Sequence, residues 1–269
     1  MSVVLKEDRG QIRLLTLNRP EQNNAYNVPM HDALIAAIDE ADNDNSVRVI
    51  VVTGAGKMFC AGADLSGGFA SVTGDNDLDG VTRDLGGMLN LRIFECNTPI
   101  IAAVNGHSVG IGLTMLLAMD MKIVSKKTKF VLPFARRGIV FDGAASFFLP
   151  RIIGMNRTQE WLLRGDPIKP EEALAAGMIS EIVEPEDVLN RAMAIAEDIA
   201  VNVSPTSAAH NKQLLRSSML RGGGYDSGPM AAHMQESDML IKAFASHDCM
   251  EGVQSFFEKR SPEFKDRKG

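Results

Sequence analysis

The sequence predicts an α/β fold built from stacked ββα-like turns, followed by a helical region. Short β-rich runs alternate with stretches of helical spacing along the first part of the chain, which is the pattern of layered α/β proteins. Two runs, Val47–Val52 and Pro99–Val104, are apolar enough to be buried strands. From about Thr158 the pattern is helical. We therefore expect a ββα core over residues 1–200 and a helical C-terminal region over residues 201–269.

The first strands and the first helix follow from the spacing of apolar residues. Val3–Leu5 and Ile12–Leu17 are predicted strands, and the polar run KEDRGQ between them is the predicted turn. Between residues 28 and 42 apolar side chains recur at helical spacing, which predicts a helix there. Met121–Val124 and Phe130–Leu132 are predicted as a further pair of strands.

Amphipathic spacing predicts the later helices. Pro170–Ala176 is a short helix whose end at Gly177 suits the left-handed C-terminal cap that glycine favours. Further helices are predicted at Val188–Val201, Pro205–Met219 and Glu251–Glu258. The run Gly222-Gly223-Gly224 is predicted to break the chain between two of them.

The segment Ser66–Gly87 differs from its surroundings. It is rich in glycine, aspartate and asparagine and has few large apolar residues, which predicts a loop. The sequence leaves open whether this loop is a lid over a site or a surface insertion.

Composition and charge exclude some classes of protein. The chain has 269 residues, of which 45% are hydrophobic and 23% charged, as in an ordinary folded globular protein. Its formal net charge of −6 argues against nucleic-acid binding, since such proteins present a basic face to phosphate. A small anionic ligand is not excluded, because a few local basic residues are enough to bind it.

Cysteine, histidine and hydropathy patterns narrow the class further. The three cysteines, Cys60, Cys96 and Cys249, show neither disulfide nor metal spacing, which favours a reducing cytoplasm. No two of the five histidines are spaced four apart, so no metal site is predicted. The most apolar stretch, Ile111–Met119, is too short to span a bilayer, and the charged N-terminus is unlike a signal peptide. We expect a cytoplasmic protein without a membrane partner.

Two glycine-containing segments follow the buried strands and are the best candidates for chemistry. They are Phe59–Leu65 (FCAGADL) and Asn105–Gly112 (NGHSVGIG). Small residues at a strand-to-turn transition allow backbone N–H groups to face a ligand. Two such groups at one point would form an oxyanion hole, which stabilises a carbonyl oxygen that gains charge. Close packing of turns is the alternative explanation, and the second segment does not match the GxGxxG dinucleotide pattern.

These segments belong to a longer set of ordered motifs. The set comprises Asn18-Arg19-Pro20 with Asn24-Ala25, FCAGADL, PIIAAVNGHSVGIG, Gly138–Gly154 and the tail EGVQSFFEKR. From about Val3 to Lys265 the chain resembles the crotonase (enoyl-CoA hydratase/isomerase) superfamily. The resemblance implies a spiral of ββα turns with a helical trimerisation region, an acyl-CoA thioester substrate, and a homotrimer or a hexamer made of two trimers. It implies no tightly bound cofactor, because coenzyme A enters as part of the substrate.

The resemblance assigns the two oxyanion-hole donors to the backbone amides of Ala63 and Ile111. Most members have glycine at the second position, and a β-branched residue is unfavourable if the site needs a positive φ. The two glutamates with which hydratases position a water fall at Thr114 and Phe134. Neither side chain acts as an acid or base near neutral pH, so a paired-carboxylate mechanism is not expected.

Asp142 is the carboxylate that remains near these motifs. It falls where the Δ3,Δ2-enoyl-CoA isomerases of the superfamily carry a single glutamate, and where 4-chlorobenzoyl-CoA dehalogenases carry a nucleophilic aspartate. An isomerase needs one base, which moves a proton from the α-carbon to the γ-carbon of the acyl chain. The residues alone also allow Asp142 to cap a helix over Gly143–Leu149, whose terminus would favour the ionised form.

For coenzyme A, the resemblance assigns the adenine to the loop around Ala61 and Asp64. It assigns Phe256 and Lys259, often from a neighbouring subunit, to the adenosine and its 3′-phosphate. A lysine is a reasonable phosphate partner, although a solvated lysine on an amphipathic helix is an equal alternative. Arg137 is predicted to face solvent or a neighbouring subunit.

Enoyl-CoA isomerisation by Asp142 is the preferred function. Hydration or hydrolysis by a water that Asp142 activates is one alternative, and a dehalogenase-like reaction with Asp142 as the nucleophile is another. A third alternative is an acyl-CoA-binding protein that has lost the chemistry. The sequence leaves open the acyl chain, the pathway and the choice between trimer and hexamer.

Overall fold

A computed structural model describes residues 2–67, 77–220, 228–265 and 267 of the chain. The strands are β1 (Val4–Arg9), β2 (Ile12–Leu17), β3 (Val49–Gly54), β4 (Met58–Cys60), β5 (Asp77–Leu78), β6 (Val81–Thr82), β7 (Ile100–Val104), β8 (His107–Val109), β9 (Met121–Ser125), β10 (Phe130–Val131) and β11 (Glu181–Val183). The helices are α1 (Val28–Asn43), α2 (Leu85–Glu95), α3 (Ile111–Thr114), α4 (Ala145–Ile153), α5 (Met155–Arg164), α6 (Pro170–Ala175), α7 (Val188–Asn202), α8 (Pro205–Leu220), α9 (Pro229–Phe244) and α10 (His247–Glu258). This mixed architecture confirms the predicted α/β class.

Six strands form the main sheet, in the order β1-β2-β3-β7-β9-β11. Strands β1 and β2 form an antiparallel hairpin, and the other neighbouring pairs are parallel. Side chains of β3 alternate between two cores: Ile50 and Val52 belong to the core that contains α1, whereas Val49 and Val51 pack against α7 on the other face. Burial on both faces explains why this strand is a continuous apolar run.

A second sheet contains three parallel strands in the order β10-β8-β4. Three successive strand pairs, β3 with β4, β7 with β8 and β9 with β10, each place one strand in the main sheet and the next in the second sheet. This is the ββα repeat that the sequence predicts. Met121–Val124 and Phe130–Leu132 do contain strands, but the prediction that they form a pair is wrong. The amides of Ser108 and Gly110 donate to the carbonyl oxygens of Lys129 and Val131, which holds β10 on β8.

The prediction that Ser66–Gly87 is a loop is wrong at the C-terminal end of this segment. Helix α2 starts inside it, and the carboxylate of Asp84 caps this helix by accepting a hydrogen bond of 2.6 Å from the amide of Gly87. Strands β5 and β6 form a short antiparallel hairpin in the same segment. Residues 68–76 of the predicted loop, and the predicted break at 222–224, lie outside the described residues.

The C-terminal part of the chain contains α7 to α10. Helix α7 covers one face of the main sheet, and α9 packs against α8 and α10. Periodicity does not predict α9, because none of its residues is buried within this chain. The predicted boundary at residue 200 falls in the last turn of α7, and the division into two regions stays a prediction. Among the residues described, no helix has the length and apolarity needed to cross a bilayer.

Candidate active site

A cavity of about 440 Å³ opens where the chain leaves β4 and β8. Its wall is mainly apolar and contains Ala63, Ile111 and Asp142, the three residues predicted to be catalytic. Asp84 and Arg137 add two further charged side chains. The structure thus brings the three predicted residues together, and their catalytic roles stay predictions.

Close packing of the two glycine segments explains where glycine is required. A β-carbon at Gly62, whose φ is +101°, would lie 3.0 Å from the carbonyl oxygen of Val109. A β-carbon at Gly112 would lie only 2.4 Å from the carbonyl oxygen of Cys60. Since β4 and β8 are parallel neighbours, the residues that follow them emerge side by side. This packing places the two predicted donors on one cavity.

The amide of Ala63 faces away from the neighbouring segment that contains Tyr26. A parallel bridge joins Ala63 to Tyr26 through two hydrogen bonds of 2.8 Å. The amide of Tyr26 donates to the carbonyl oxygen of Gly62, and the amide of Asp64 donates to the carbonyl oxygen of Tyr26. Amides alternate in direction along an extended chain, so that of Ala63 faces the opposite side. Within the described part of the chain it donates to no protein acceptor.

Ile111 is the first residue of α3, where a helix leaves its N–H groups without intrahelical acceptors. Its amide has no protein acceptor among the residues that the structure describes. The positive φ of this turn, +52°, falls on Gly110 and not on Ile111. Ile111, predicted to stand where most members of the superfamily have glycine, therefore needs no positive φ, and its backbone N–H is available as a donor.

The carboxylate of Asp142 is half-buried and accepts a hydrogen bond of 2.7 Å from Oγ1 of Thr114. Burial raises the pKa of Asp142 to about 6; the Thr114 hydrogen bond acts in the opposite direction, and the charge of Asp84 adds to the rise. A carboxyl group with this pKa accepts and releases a proton near neutral pH. Thr114, which the resemblance places at the position of a hydratase glutamate, thus contacts the carboxylate that the sequence singles out.

The predicted capping role of Asp142 is wrong. Helix α4 begins at Ala145, its N-cap is Ala144, and no side chain caps it. Gly143 and Ala144 have φ values of +66° and +52°, so the chain turns between Asp142 and the helix. The expectation that the helix terminus favours the ionised carboxylate stays a prediction; the pKa of Asp142 is raised, and burial is the largest cause.

Asn90 fixes the backbone around Asp142. Its Nδ2 donates to the carbonyl oxygens of Thr114 and Gly143, at 2.8 and 2.5 Å. The amide of Gly143 donates to Oδ1 of Asp84 at 3.2 Å. A β-carbon at Gly143 would lie 2.8 Å from Oγ1 of Thr114, so a larger residue would displace the hydroxyl that contacts Asp142. These contacts join α2, α3 and the turn before α4 into one support for the carboxylate.

Sequence reasoning misses several polar residues of the site. Asp84 lies on the cavity wall inside the segment predicted as a loop, and its spacing from Gly87 was the available signal, since aspartate is a favoured N-cap. Tyr26 also lies on the wall, and its hydroxyl is 2.8 Å from Nδ1 of His31. Burial raises the pKa of Tyr26 well above its usual value. Arg137, predicted to face solvent or a neighbouring subunit, is exposed and also lines the cavity.

The loop residues predicted to bind adenine, Ala61 and Asp64, flank the wall of the cavity without lining it. Asp64 accepts hydrogen bonds from the hydroxyl and amide of Ser66, at 2.6 and 3.1 Å, and from Nη2 of Arg19 at 2.8 Å. These Ser66 and Arg19 contacts lower the pKa of Asp64 to about 2. Asp64 is therefore an ionised residue that orders its own loop, and the adenine-binding roles stay predictions.

The C-terminal residues predicted to bind coenzyme A are exposed. Phe256 is 78% exposed in α10, and Lys259 is the exposed C-cap of that helix, with a φ of +54°. Neither lines the cavity of its own chain. The prediction assigns them to the site of a neighbouring subunit, and it stays a prediction. In the described ranges, no group of three or more His, Cys, Asp or Glu residues is placed to hold a metal ion.

Comparison with known proteins identifies the family. The family model for enoyl-CoA hydratase/isomerase matches residues 7–267. Enoyl-CoA hydratase ACTT3 of Alternaria alternata is 40% identical over 260 residues, which cover 96% of this chain and 84% of that protein. The 1,2-epoxyphenylacetyl-CoA isomerase of Escherichia coli strain K12 is 32% identical over 267 residues and 98% of each chain. The crystal structure of a probable enoyl-CoA hydratase/isomerase from Mycobacterium abscessus has a TM-score of 0.88 and 32% identity over 98% of each chain.

Within the described residues, the structure places two backbone amides without a protein acceptor and a carboxylate on one mainly apolar cavity, an arrangement that can stabilise an oxygen that gains charge. The chain belongs to the enoyl-CoA hydratase/isomerase family of the crotonase superfamily. It is accordingly an acyl-CoA enzyme of this family. The family prediction from ordered motifs is confirmed.

Proposed function

We propose that the protein is an enoyl-CoA isomerase in which Asp142 moves a proton along the acyl chain. One observation carries the proposal. The carboxylate of Asp142, whose pKa burial raises to about 6, shares a cavity with the amides of Ala63 and Ile111, which have no protein acceptor in the described part of the chain. An allylic proton transfer needs a base near the α-carbon and donors for the oxygen that gains charge.

The proposed substrate is a 3-enoyl-CoA thioester. Ionised Asp142 removes a proton from C2, and the electron pair spreads over the thioester oxygen and the C3–C4 double bond to give a dienolate. The amides of Ala63 and Ile111 donate to this oxygen, which stabilises charge that the ground state lacks. The protonated carboxyl group then returns the proton to C4, the double bond moves to C2–C3, and the base is restored.

The residues at the two hydratase positions support a reaction without water. Phe134 is buried, and its ring packs against that of Phe141 with 5.8 Å between centroids. The hydroxyl of Thr114 donates to Asp142. Neither Phe134 nor Thr114 activates water by proton transfer near neutral pH, so Asp142 is left as the acid and base.

Asp84 favours hydration as a second candidate function. It lies on the same cavity as Asp142, and its charge contributes to the raised pKa of Asp142. Two carboxylates can position and activate one water, and the relative from Alternaria alternata is named a hydratase. Oδ1 of Asp84 already accepts hydrogen bonds from the amides of Gly87 and Gly143, which favours isomerisation.

We also propose that the protein forms a homotrimer, or a hexamer of two trimers, and that it is cytoplasmic. Helix α9 has no buried residue in this chain. Several large apolar side chains of α9 and α10 are more than half exposed, namely Met230, Met234, Ile241, Phe244 and Phe257. Exposed apolar surface of this extent is typical of a protein–protein contact. A neighbouring subunit that covers it would bring Phe256 and Lys259 towards the coenzyme A of another chain, near Ala61 and Asp64.

Turnover of CoA thioesters by the purified protein tests the proposed reaction. We expect 3-enoyl-CoA to be converted to 2-enoyl-CoA, and the rate to fall about 10²- to 10⁴-fold in Asp142→Asn, the usual contribution of a general base. The affinity for a non-reactive acyl-CoA should stay within a few-fold. Asp187→Asn, which changes an exposed carboxylate, is the matched control and keeps the wild-type rate.

The same assay separates the candidate functions. Formation of 3-hydroxyacyl-CoA from 2-enoyl-CoA, lost in Asp84→Asn and in Asp142→Asn alike, would assign hydration instead. Release of halide from a 4-halobenzoyl-CoA would assign the dehalogenase-like reaction. Wild-type isomerase activity in Asp142→Asn would remove Asp142 from the mechanism.

A further inference from the structure

A second cavity, of about 220 Å³, is lined by residues of α2, α4, α8 and the start of β9. It shares no lining residue with the candidate active site. Its apolar wall includes Phe94, Leu117, Phe148, Leu215 and Met219. Its charged residues are Asp120, Lys122, Lys212 and Arg216.

Among the described residues of this cavity, Lys122 is a charged side chain that makes no hydrogen bond or ion pair with the protein. It is 8% exposed, it lines the cavity, and its Nζ makes no hydrogen bond or ion pair with any residue described by the structure. Burial lowers the pKa of Lys122 to about 8, and the nearby charge of Asp120 offsets this only in part. An anion in the cavity could therefore pair with Lys122 without displacing a protein partner, and it would offset the cost of burying the charge.

The other charged residues of the cavity are engaged. Nζ of Lys212 is 2.5 Å from Oδ2 of Asp120. Arg216 donates to the carbonyl oxygen of Phe94 at 2.8 Å and to Oδ1 of Asn97 at 2.6 Å. The cavity wall therefore carries three cationic side chains and one carboxylate. That carboxylate belongs to Asp120, which already forms an ion pair with Lys212. The excess positive charge on the wall favours the binding of an anion in this cavity.

We propose that this cavity binds a short- to medium-chain carboxylate, whose charged end pairs with Lys122 and whose alkyl chain packs against the apolar wall. Its volume is below the range of about 300–1,000 Å³ for pockets that hold drug-sized ligands. A CoA thioester is too large for it. Inorganic phosphate would leave the apolar wall uncovered, and a neutral alcohol would leave Lys122 unpaired, whereas an alkyl carboxylate satisfies both.

Lysine labelling read by mass spectrometry tests the site directly. The full-length protein is treated at pH 8 with limiting acetic anhydride, with and without saturating octanoate. We expect octanoate to slow acetylation of Lys122 at least tenfold, while the exposed Lys127 and Lys129 are labelled equally in both samples. Octanol, which has the same chain without the charge, should protect much less. Labelling of Lys122 that octanoate does not change, or that octanol slows equally, overturns the proposal.

Calorimetric titration with octanoate gives an independent measurement. A saturating non-reactive acyl-CoA is present throughout, so that the candidate active site is occupied. We expect Lys122→Met, which keeps an apolar side chain and removes the charge, to weaken octanoate binding tenfold or more. Lys122→Arg keeps the charge and should stay within a few-fold of wild type, as should Lys127→Met at an exposed position.

Two outcomes contradict the proposal without touching the proposed isomerase activity. Equal octanoate affinity in the wild type and in Lys122→Met would exclude the ion pair. Protection of Lys122 that rises with protein concentration and needs no octanoate would assign the cavity to a contact between copies of the chain. Turnover of CoA thioesters is expected to be unchanged in Lys122→Met, because the two cavities are separate.

Discussion

Oγ1 of Thr114 lies 2.7 Å from Oδ1 of Asp142 and donates a hydrogen bond to it. The bond lowers the pKa of a carboxyl group that burial raises to about 6. The Thr114 hydrogen bond therefore opposes the effect of burial on the pKa of Asp142, and it comes from a different residue. The acidity can be changed without replacing the carboxylate.

Thr114→Val removes this hydrogen bond and keeps the size of the side chain. The ionised form of Asp142 then loses a donor, so its pKa is expected to rise above 6. The proposed base acts in the ionised form, so the acid limb of kcat/KM against pH should move to higher pH. The variant should lose more activity at pH 6 than at pH 8.

Thr158→Val is the matched control for this profile. Thr158 is also buried, its hydroxyl donates to the carbonyl oxygen of Gly154, and neither residue lines the cavity. We expect its acid limb to coincide with that of the wild type. An unmoved acid limb in Thr114→Val would mean that a group other than Asp142 titrates in catalysis.

The raised pKa of Asp142 also affects folding stability. The folded protein releases this proton at about pH 6, whereas the unfolded chain releases it near the ordinary value of 3.8. Between these values the folded state binds more protons, so the free energy of unfolding falls as the pH rises. A pKa difference of about 2 corresponds to a loss of about 3 kcal/mol at most.

Asp142→Asn should therefore stabilise the protein at neutral pH while it abolishes the proposed activity. At pH 7 we expect the variant to be more stable than the wild type by up to about 3 kcal/mol, because asparagine carries no buried charge. The difference should shrink towards zero at pH 4, where Asp142 is protonated. Urea denaturation at several pH values measures it, and Asp187→Asn serves as the exposed control. Parallel stability curves for Asp142→Asn and the wild type would argue that the ionised carboxylate is not buried.

Much of the fold is predictable because buried parallel strands are continuous apolar runs. The predicted strands Val47–Val52 and Pro99–Val104 correspond to β3 and β7, with bounds displaced by two residues or fewer. Helix α2 is not predictable in this way, since its first turn contains Gly86 and Gly87. A β-carbon at Gly86 would lie 2.5 Å from Cδ1 of Ile111, so glycine at this position lets the Ile111 side chain pack closely against the helix, and the same glycine weakens the helical pattern in the sequence.

The residues of the candidate site also fall into those that local sequence motifs predict and those that depend on tertiary contacts. The two segments that carry the proposed donors are predictable because they are local strand-to-turn motifs, and the family resemblance assigns Ala63 and Ile111 within them. Asn90 and Asp84 are not, because their contacts with the turn after Asp142 join segments more than fifty residues apart. Helix α9 is not predicted for a different reason: none of its residues is buried within one chain, so it shows no clear apolar face.

Ile241→Glu tests the proposed oligomer. Ile241 is 67% exposed on α9, and a charge placed in an apolar contact between subunits would have to be desolvated without a partner. We expect the variant to sediment as a smaller species than the wild type and to bind acyl-CoA more weakly, if Phe256 and Lys259 act across subunits. Asp238→Ala, which removes an exposed carboxylate from the same helix, is the control and should sediment like the wild type. A wild-type protein that sediments as a monomer would contradict the proposal directly.

Ile111→Pro tests whether a backbone amide is the second donor. Residue 111 is the first position of α3, where proline is tolerated because its fixed φ suits the helix and the missing N–H has no helical acceptor. The substitution removes the proposed donor, so we expect kcat to fall about 10²- to 10³-fold, the usual cost of losing one oxyanion-hole hydrogen bond.

Ile111→Ala separates loss of the donor from loss of packing. Ile111 is 2% exposed, so the alanine variant should be destabilised by about 2–5 kcal/mol, as measured by denaturant unfolding. It retains its N–H, and we expect kcat to stay within a few-fold of the wild type at a temperature where both are folded. If the proline and alanine variants lost the same fraction of kcat, the lost activity would come from packing around Ile111, and the amide would have no part in stabilising the dienolate.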